Sequence, residues 1–364
     1  MSDSLKLTVY LSTYNQEDYV AEALDSILMQ KTDFDFEIVA ADDCSTDGTQ
    51  QIILDYQKKY PGKIVTYFTN PNVGGCKKLT NCIDKGLFRG DYLAYLEGDD
   101  YWLGEDRLQT LVDFLEEHPE YSRVSHNRKV INDAGDFIGY DVKKDVLGTS
   151  IDMAGFLDGK LYSDFGSVFR NYFKIAKSKY NPLFLASRNV CDFQDMFITQ
   201  DFGPVYVMDR CLGVYRSRSV AGATNYNSIT SQKKKNIENI ILARKVMEFY
   251  NGKYDLTPMI QRYQKRLLGE AVDEKSDEEF SEIREYISES EMVGILPEML
   301  YLLKRGKKKE SIDFLLSRLT KNERRFINIR VFKYAVRRVF NKLTGRKINE
   351  LKRGYIVKQQ ETKS

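Results

Sequence analysis

The run Glu97-Gly98-Asp99-Asp100 places three carboxylates within four residues, directly after an apolar stretch at 92–96. Hard oxygen ligands clustered on a turn suit Mg²⁺ or Mn²⁺ bridging two phosphates, which makes the run a candidate for holding a metal diphosphate. An acidic Gly-Asp turn is also ordinary turn chemistry and needs no ligand. A second pair, Asp42-Asp43, closes the apolar run 37–41, where a carboxylate could accept a base N–H or a ribose hydroxyl. Ser45 and Thr46, just beyond it, read as a helix N-cap covering free amides. A third polar cluster, Ser12-Thr13-Tyr14-Asn15, follows the run 7–11. Further along, Asp192 and Asp195 lie one turn apart at a helix start, where the dipole favours an acid even without a chemical role.

The elements that position these residues are legible in outline. Apolar runs at 7–11, 37–41, 64–68 and 92–96 alternate with helical periodicity near 17–29, 49–60 and 78–87. Continuous apolar strands separated by helices predict a parallel sheet covered on both faces, a doubly wound α/β core. Ligands of such sheets gather at the carboxyl ends of the strands, so the three clusters are expected to converge on one edge. Past residue 121, Val- and Ile-containing runs flank Asp133-Ala134-Gly135-Asp136 as a hairpin. Residues 205–208 read as another strand, and beyond about Ser231 the chain reads as helical, broken at Pro258 and Pro297.

With 364 residues, 42% hydrophobic and 30% charged, the chain can bury a real core and is neither disordered nor a small stapled module. Five cysteines without a C-x-x-C pair point to reduced thiols in a cytoplasm, against a disulfide framework or a zinc site. The polar N-terminus leads straight into a strand, and no apolar run approaches the ~20 residues that span a bilayer; a cytoplasmic location is expected. A net charge of +2 conceals an acidic stretch at 270–298 and a Lys/Arg-dense tail from 304 onward. In that tail Ile329, Phe332, Val336, Phe340 and Leu343 recur among Arg330, Lys333, Arg337, Arg338 and Lys342, a basic amphipathic helix. It suits peripheral attachment to an anionic membrane surface, or packing against the acidic stretch or another subunit. No aromatic-basic module supports nucleic-acid binding.

Residues 9–15 (Val-Tyr-Leu-Ser-Thr-Tyr-Asn), 41–49 (Ala-Asp-Asp-Cys-Ser-Thr-Asp-Gly-Thr), 72–74 (Asn-Val-Gly) and 96–102 (Leu-Glu-Gly-Asp-Asp-Tyr-Trp) carry a resemblance through their order and spacing. Together they resemble glycosyltransferase family 2, the inverting nucleotide-sugar enzymes with a GT-A fold. Residues 98–102 followed by 107–109 and 112–115 are similar to bacterial members that build surface polysaccharides or decorate surface glycoproteins. The resemblance spans about 5–220. It implies a GT-A catalytic domain over 1–225, with a nucleotide-binding half (1–120) and an acceptor-binding half (121–225), and leaves 226–364 as a helical C-terminal region.

Position by position, the resemblance implies that Thr13 and Tyr14 contact the nucleobase, with Tyr14 stacking, and that Asp42 or Asp43 reads the base or ribose of a uridine. It implies that Lys78, beside Lys77, lies near the diphosphate, that Glu97, Gly98 and Asp100 line the donor site, and that Asp99 holds Mn²⁺ or Mg²⁺. Glu97 stands where the family usually has the first aspartate of its Asp-x-Asp signature. Asp192, eleven positions before Gly203, matches the family's general base, with Asp195 as the alternative. The family's Tyr-Arg-x-His appears as Tyr215-Arg216-Ser217-Arg218, without its histidine, while His118 and His126 read as structural, the latter just after a short strand. The implied partners are a nucleotide-sugar donor and a carbohydrate, lipid-linked or glycoprotein acceptor. The rival reading is a catalytically weak GT-A-like subunit that binds another glycosyltransferase. A nucleotidyltransferase would need a basic Gly-rich loop after the first strand, which residues 12–17 do not provide.

Overall fold

In the computed structural model, residues 5–159, 166–188, 191–217 and 230–271 are described, together with Tyr286. Two compact units divide the chain: Met1–Ser231 with Lys245–Tyr254, and Gln232–Arg244 with Asp255–Ser364.

The first unit is built on β1 (Leu7–Thr13), β2 (Phe36–Asp42), β3 (Ile64–Phe68) and β4 (Tyr92–Glu97), all parallel, with β1 between β2 and β4. Every residue of β1 and β2 is buried, as strands covered on both faces require. The covering helices are α1 (Val20–Leu28), α2 (Thr49–Lys59), α3 (Gly75–Asp84) and α4 (Arg107–Glu117). In α1 the buried Val20, Ala23, Leu24 and Ile27 recur at three- and four-residue spacing, which turns one apolar stripe onto the sheet.

Beyond β4 the sheet becomes mixed. It gains β5 (Tyr101–Trp102), β6 (Arg123–Ile131), β7 (Phe137–Tyr140), β8 (Thr149–Ile151), β9 (Val168–Arg170) and β10 (Val205–Arg216). Among the described residues the order is β3-β2-β1-β4-β9-β6-β10-β5, with β7 on β6 and β8 on β10. The three-residue β9 runs antiparallel to both β4 and β6 and joins the parallel half to the rest. Short helices α5 (Met153–Leu157), α6 (Phe173–Ala176), α7 (Asn181–Phe184) and α8 (Asp192–Thr199) complete the unit.

The expected hairpin is β6–β7. Its turn is held by Asn132, whose Oδ1 accepts from the amides of Ala134 (3.0 Å) and Asp136 (2.9 Å). The strand expected at 205–208 extends to Arg216 through register shifts between Met208 and Gly213. The exposed Asp209 and Arg210 lie in that irregular stretch and interrupt the apolar pattern that would have shown it.

Beyond Ser231 the helical expectation holds for Gln232–Phe249 and Thr257–Ala271. The break falls before Pro258, not at it: proline is the second residue of the new helix, where its missing N–H costs nothing. Pro297, Arg218 and the basic amphipathic tail lie outside the described residues. No helix among the described residues is long and apolar enough to cross a membrane.

His126 lies inside β6 rather than after a strand, buried among cations. Its Nε2 accepts from Arg107 Nε (3.2 Å), so Nδ1 carries the proton that it donates to the Asn127 carbonyl (2.7 Å). Burial and then Arg107 hold its pKa well below the ordinary histidine value, so the folded protein keeps this ring neutral where the unfolded chain protonates it. The stability it supports is therefore present above about pH 6.5 and lost as pH falls below it. Denaturant titrations from pH 7 to 5 are expected to show a steeper loss in the wild type than in His126→Gln, by up to about 1.4 kcal/mol per pH unit. Equal slopes would remove His126 as the cause.

Candidate functional site

Sheet register brings the three polar clusters to one edge. Thr13 at the end of β1 pairs with Asp42 at the end of β2, and Ser12 pairs with Glu97 at the end of β4.

The two acids ending β2 are both buried and occupied by protein donors. Asp42 accepts from Thr13 Oγ1 (2.9 Å), Ser45 N (2.8 Å), Gln50 Nε2 (2.6 Å) and the Ser45 hydroxyl. Four bonds fill the usual capacity of a carboxylate. Asp43 accepts from Thr69 Oγ1 (2.7 Å) and from the amides of Val73 (2.8 Å) and Gly74 (2.7 Å), which pins the β3–α3 loop. As folded, both carboxylates also shape the loops at the end of β2. The cap reading of Ser45 is corrected, since it binds Asp42 and caps nothing; α2 begins after Gly48, with Asp47 Oδ1 accepting from Thr49 N (3.0 Å). Thr13 is 1% exposed and faces Asp42, whereas Tyr14 is 37% exposed and open to stacking.

Lys78, placed near the diphosphate by the resemblance, is buried. It is 2% exposed, and its Nζ donates to Ser12 Oγ (3.1 Å) and the Thr13 carbonyl (2.9 Å), which sets a cation beneath the end of β1. Lys77 is exposed. Opposite Lys78 stands Glu97. Burial pushes its carboxyl up to about 8; Lys78 opposes the shift, while Asp99 and Asp192 add to it. A Cβ at Gly98 would lie 2.5 Å from Gln16 Oε1 and 2.7 Å from Thr13 Cγ2, so any side chain there would have to displace these two. This close approach presses the acidic turn against the β1 loop.

Asp99 and Asp100 are both buried. Asp100 is held by the Arg216 amide (2.9 Å) and Arg128 Nη1 (3.5 Å), yet burial and Asp99 raise its pKa well above the carboxylate range. Arg128 also pairs with Asp141 (2.5 Å). Its part, and that of Gln16, had no local signal in the sequence. Only the pairing of β6 with β10, residue 131 opposite 216, brings Arg128 under the turn.

α8 carries the two remaining acids, and the fold separates them. Asp192, its first residue, is partly exposed and close enough to Glu97 to raise that pKa. Asp195, the alternative base, is 2% exposed and enclosed by the Arg123 guanidinium and the Tyr172 hydroxyl.

Among the described residues Glu97, Asp99, Asp100 and Asp192 come together near Lys78 and Arg128, hard oxygen donors of the kind that suit a divalent cation brought by a diphosphate. No three-ligand His/Cys/Asp/Glu cage exists among the described residues. The donor set therefore fits a metal held by one or two carboxylates and completed by phosphate oxygens, the usual arrangement for Mg²⁺.

Residues 8–170 match the family model for glycosyl transferase family 2. This stretch is a glycosyltransferase family 2 domain. An uncharacterized protein of Mycobacterium bovis is 37% identical over 129 residues, 35% of this chain and 37% of that one. The poly(ribitol-phosphate) beta-N-acetylglucosaminyltransferase TarS of Staphylococcus aureus is 37% identical over 117 residues, 31% of this chain and 19% of TarS. The chain spans well under half the length of these curated relatives. The crystal structure of TarS residues 1–349 in complex with UDP-GlcNAc superposes with a TM-score of 0.57 at 20% identity, covering 84% of this chain and 89% of that one. The family 2 domain thus has the expected GT-A fold, a mixed sheet flanked by helices.

Proposed function

We propose that this chain is an inverting glycosyltransferase that moves a sugar from a UDP-sugar onto a carbohydrate polymer of the bacterial cell surface. The observation that carries the proposal is the meeting of the Glu97–Asp100 turn, Lys78 and Asp192 at the carboxyl ends of parallel strands. The TarS relative, an N-acetylglucosaminyltransferase crystallised with UDP-GlcNAc, supports the donor class and the polymeric acceptor. A poly(ribitol-phosphate) beta-glucosyltransferase of Bacillus spizizenii, 34% identical over 115 residues, supports the acceptor type with a different sugar.

In this reading residues 1–120 bind the nucleotide, 121–225 face the acceptor, and the basic tail beyond residue 304 binds a membrane surface or a second subunit. The reaction takes place in the cytoplasm. Tyr14 stacks on the uracil, and Lys78 stabilises charge on the departing diphosphate from beneath β1. Asp99 would hold Mn²⁺ or Mg²⁺, which would supply the remaining charge neutralisation on the diphosphate. Asp192 accepts the acceptor hydroxyl's proton as that oxygen attacks the anomeric carbon from the face opposite the leaving group.

The test is thermal-shift titration with UDP, GDP and CDP, each with and without Mn²⁺, on wild type and Asp99→Ala. A ligand at a hundredfold excess over its dissociation constant adds about 2.7 kcal/mol of apparent stability. Stabilisation by UDP that needs Mn²⁺ and disappears in Asp99→Ala is expected. No response to any nucleotide would reject the enzyme reading in favour of a partner-binding subunit.

A further inference from the structure

The residue immediately before Asp192 is Cys191, and its Sγ lies 2.7 Å from Sγ of Cys76 in the first turn of α3. Cys76 is 0% and Cys191 6% exposed, and both are free thiols. The flanking chain is already drawn together without them. The Cys76 amide donates to the Arg188 carbonyl (3.0 Å), and Arg188 Nη2 donates to Asn72 Oδ1 (2.7 Å). A covalent S–S bond is about 2.05 Å long, so the sulfurs need to close only about 0.7 Å, a side-chain adjustment. The pair is 115 residues apart in sequence and joins the helix that carries Lys78 to the helix that begins with Asp192.

We propose that Cys76 and Cys191 form an oxidation site, closing to a disulfide that pins the start of α8 to α3 and slows sugar transfer by holding Asp192 in place. The oxidant class is a small peroxide, since neither thiol is exposed enough for a bulky disulfide reagent. The Cys191 thiolate attacks a peroxide oxygen; an S–O bond forms, the O–O bond breaks, and the leaving hydroxide takes up a proton as water. The Cys76 sulfur then attacks the Cys191 sulfenic acid; the S–S bond forms, the S–O bond breaks, and the departing hydroxide takes the Cys76 proton as a second water. Two thiols lose two electrons and two protons, and one peroxide is reduced to two waters. The hydrogen bond with Cys76, and then burial, hold the Cys191 thiol well above its ordinary pKa, so closure quickens as pH rises from 7 to 9. A covalent link limits the small approach that a base makes toward its acceptor, and misplacement by about 1 Å can cost 10²-fold in rate.

The full chain is treated with hydrogen peroxide, quenched, alkylated under denaturing conditions and weighed. The wild type is expected to lose 2 Da, to alkylate at two fewer of its five thiols, and to yield a crosslinked peptide pair containing Cys76 and Cys191. Its melting midpoint rises by about 5–10 °C, the effect of a long closed loop on the unfolded chain. Turnover of UDP-sugar falls at least fivefold and returns with dithiothreitol. Cys76→Ala and Cys191→Ala each show none of these changes. Five alkylatable thiols, or oxygen adducts without the crosslink, overturn the pairing; a crosslink with unchanged turnover overturns the effect on transfer. The turnover arm rests on the proposed glycosyltransferase reading. Absence of turnover in reduced wild type would count against that reading, while the mass measurement still decides the pairing.

Discussion

Asp192→Asn is expected to reduce sugar transfer by about 10²–10⁴-fold while leaving the affinity for UDP within about twofold. Asparagine keeps the shape at the start of α8 but cannot accept a proton, so the variant removes general-base chemistry and little else. The position suits a base. It is partly exposed, it is within electrostatic reach of Glu97, and it begins a helix whose dipole favours an anion. Steady-state transfer measured beside UDP titration separates chemistry from binding. A loss under about fivefold would move the base elsewhere. Glu97, already held near 8 by its surroundings, would be the next carboxylate to replace.

The same crowding of carboxylates explains why some of the site could be read from sequence and some could not. Glu97, Asp99 and the acids after β2 announce themselves because each follows an apolar run, and strand ends of a parallel sheet must share an edge. Their occupancy is invisible at that level. Asp43 is filled by Thr69 and by amides about 30 residues away, and Asp42 by Thr13 from the neighbouring strand. Nothing local in the sequence marks Lys78 as buried. Only the seating of α3 over β1 turns its ammonium inward onto Ser12 and Thr13. The short antiparallel β9 has no periodicity of its own in three residues, and what places it is the pairing of Val168 with both Ala94 and Val124. Local pattern therefore identifies which residues end strands. Which carboxylate remains available depends on partners that arrive from distant segments.

Asp195 gives the sharpest case, since in sequence only the spacing to Gly203, read through the family resemblance, sets it behind Asp192 one turn earlier. In the fold it is the anion of a buried pair with Arg123, the two side chains 3% and 1% exposed, and it also receives the Tyr172 hydroxyl. Arg123 in turn donates to Ser167 Oγ (2.9 Å) and Thr199 Oγ1 (3.0 Å) and stacks 4.1 Å from the centre of the Phe169 ring, so this network ties α8 to β6 and β9. Removing one partner of such a pair leaves an uncompensated buried charge, at a cost of about 3–5 kcal/mol. Asp195→Ala is therefore expected to lower stability by that amount in a urea titration, and to lose transfer only in proportion to the fraction unfolded. Replacing both partners, as Arg123→Met with Asp195→Leu, is expected to restore part of the loss, because no orphaned charge remains. If Asp195→Ala instead melted like the wild type while transfer collapsed, the two aspartates would exchange roles. The proton would then be taken from within the α8 core, by a carboxylate that has to leave Arg123 to do so.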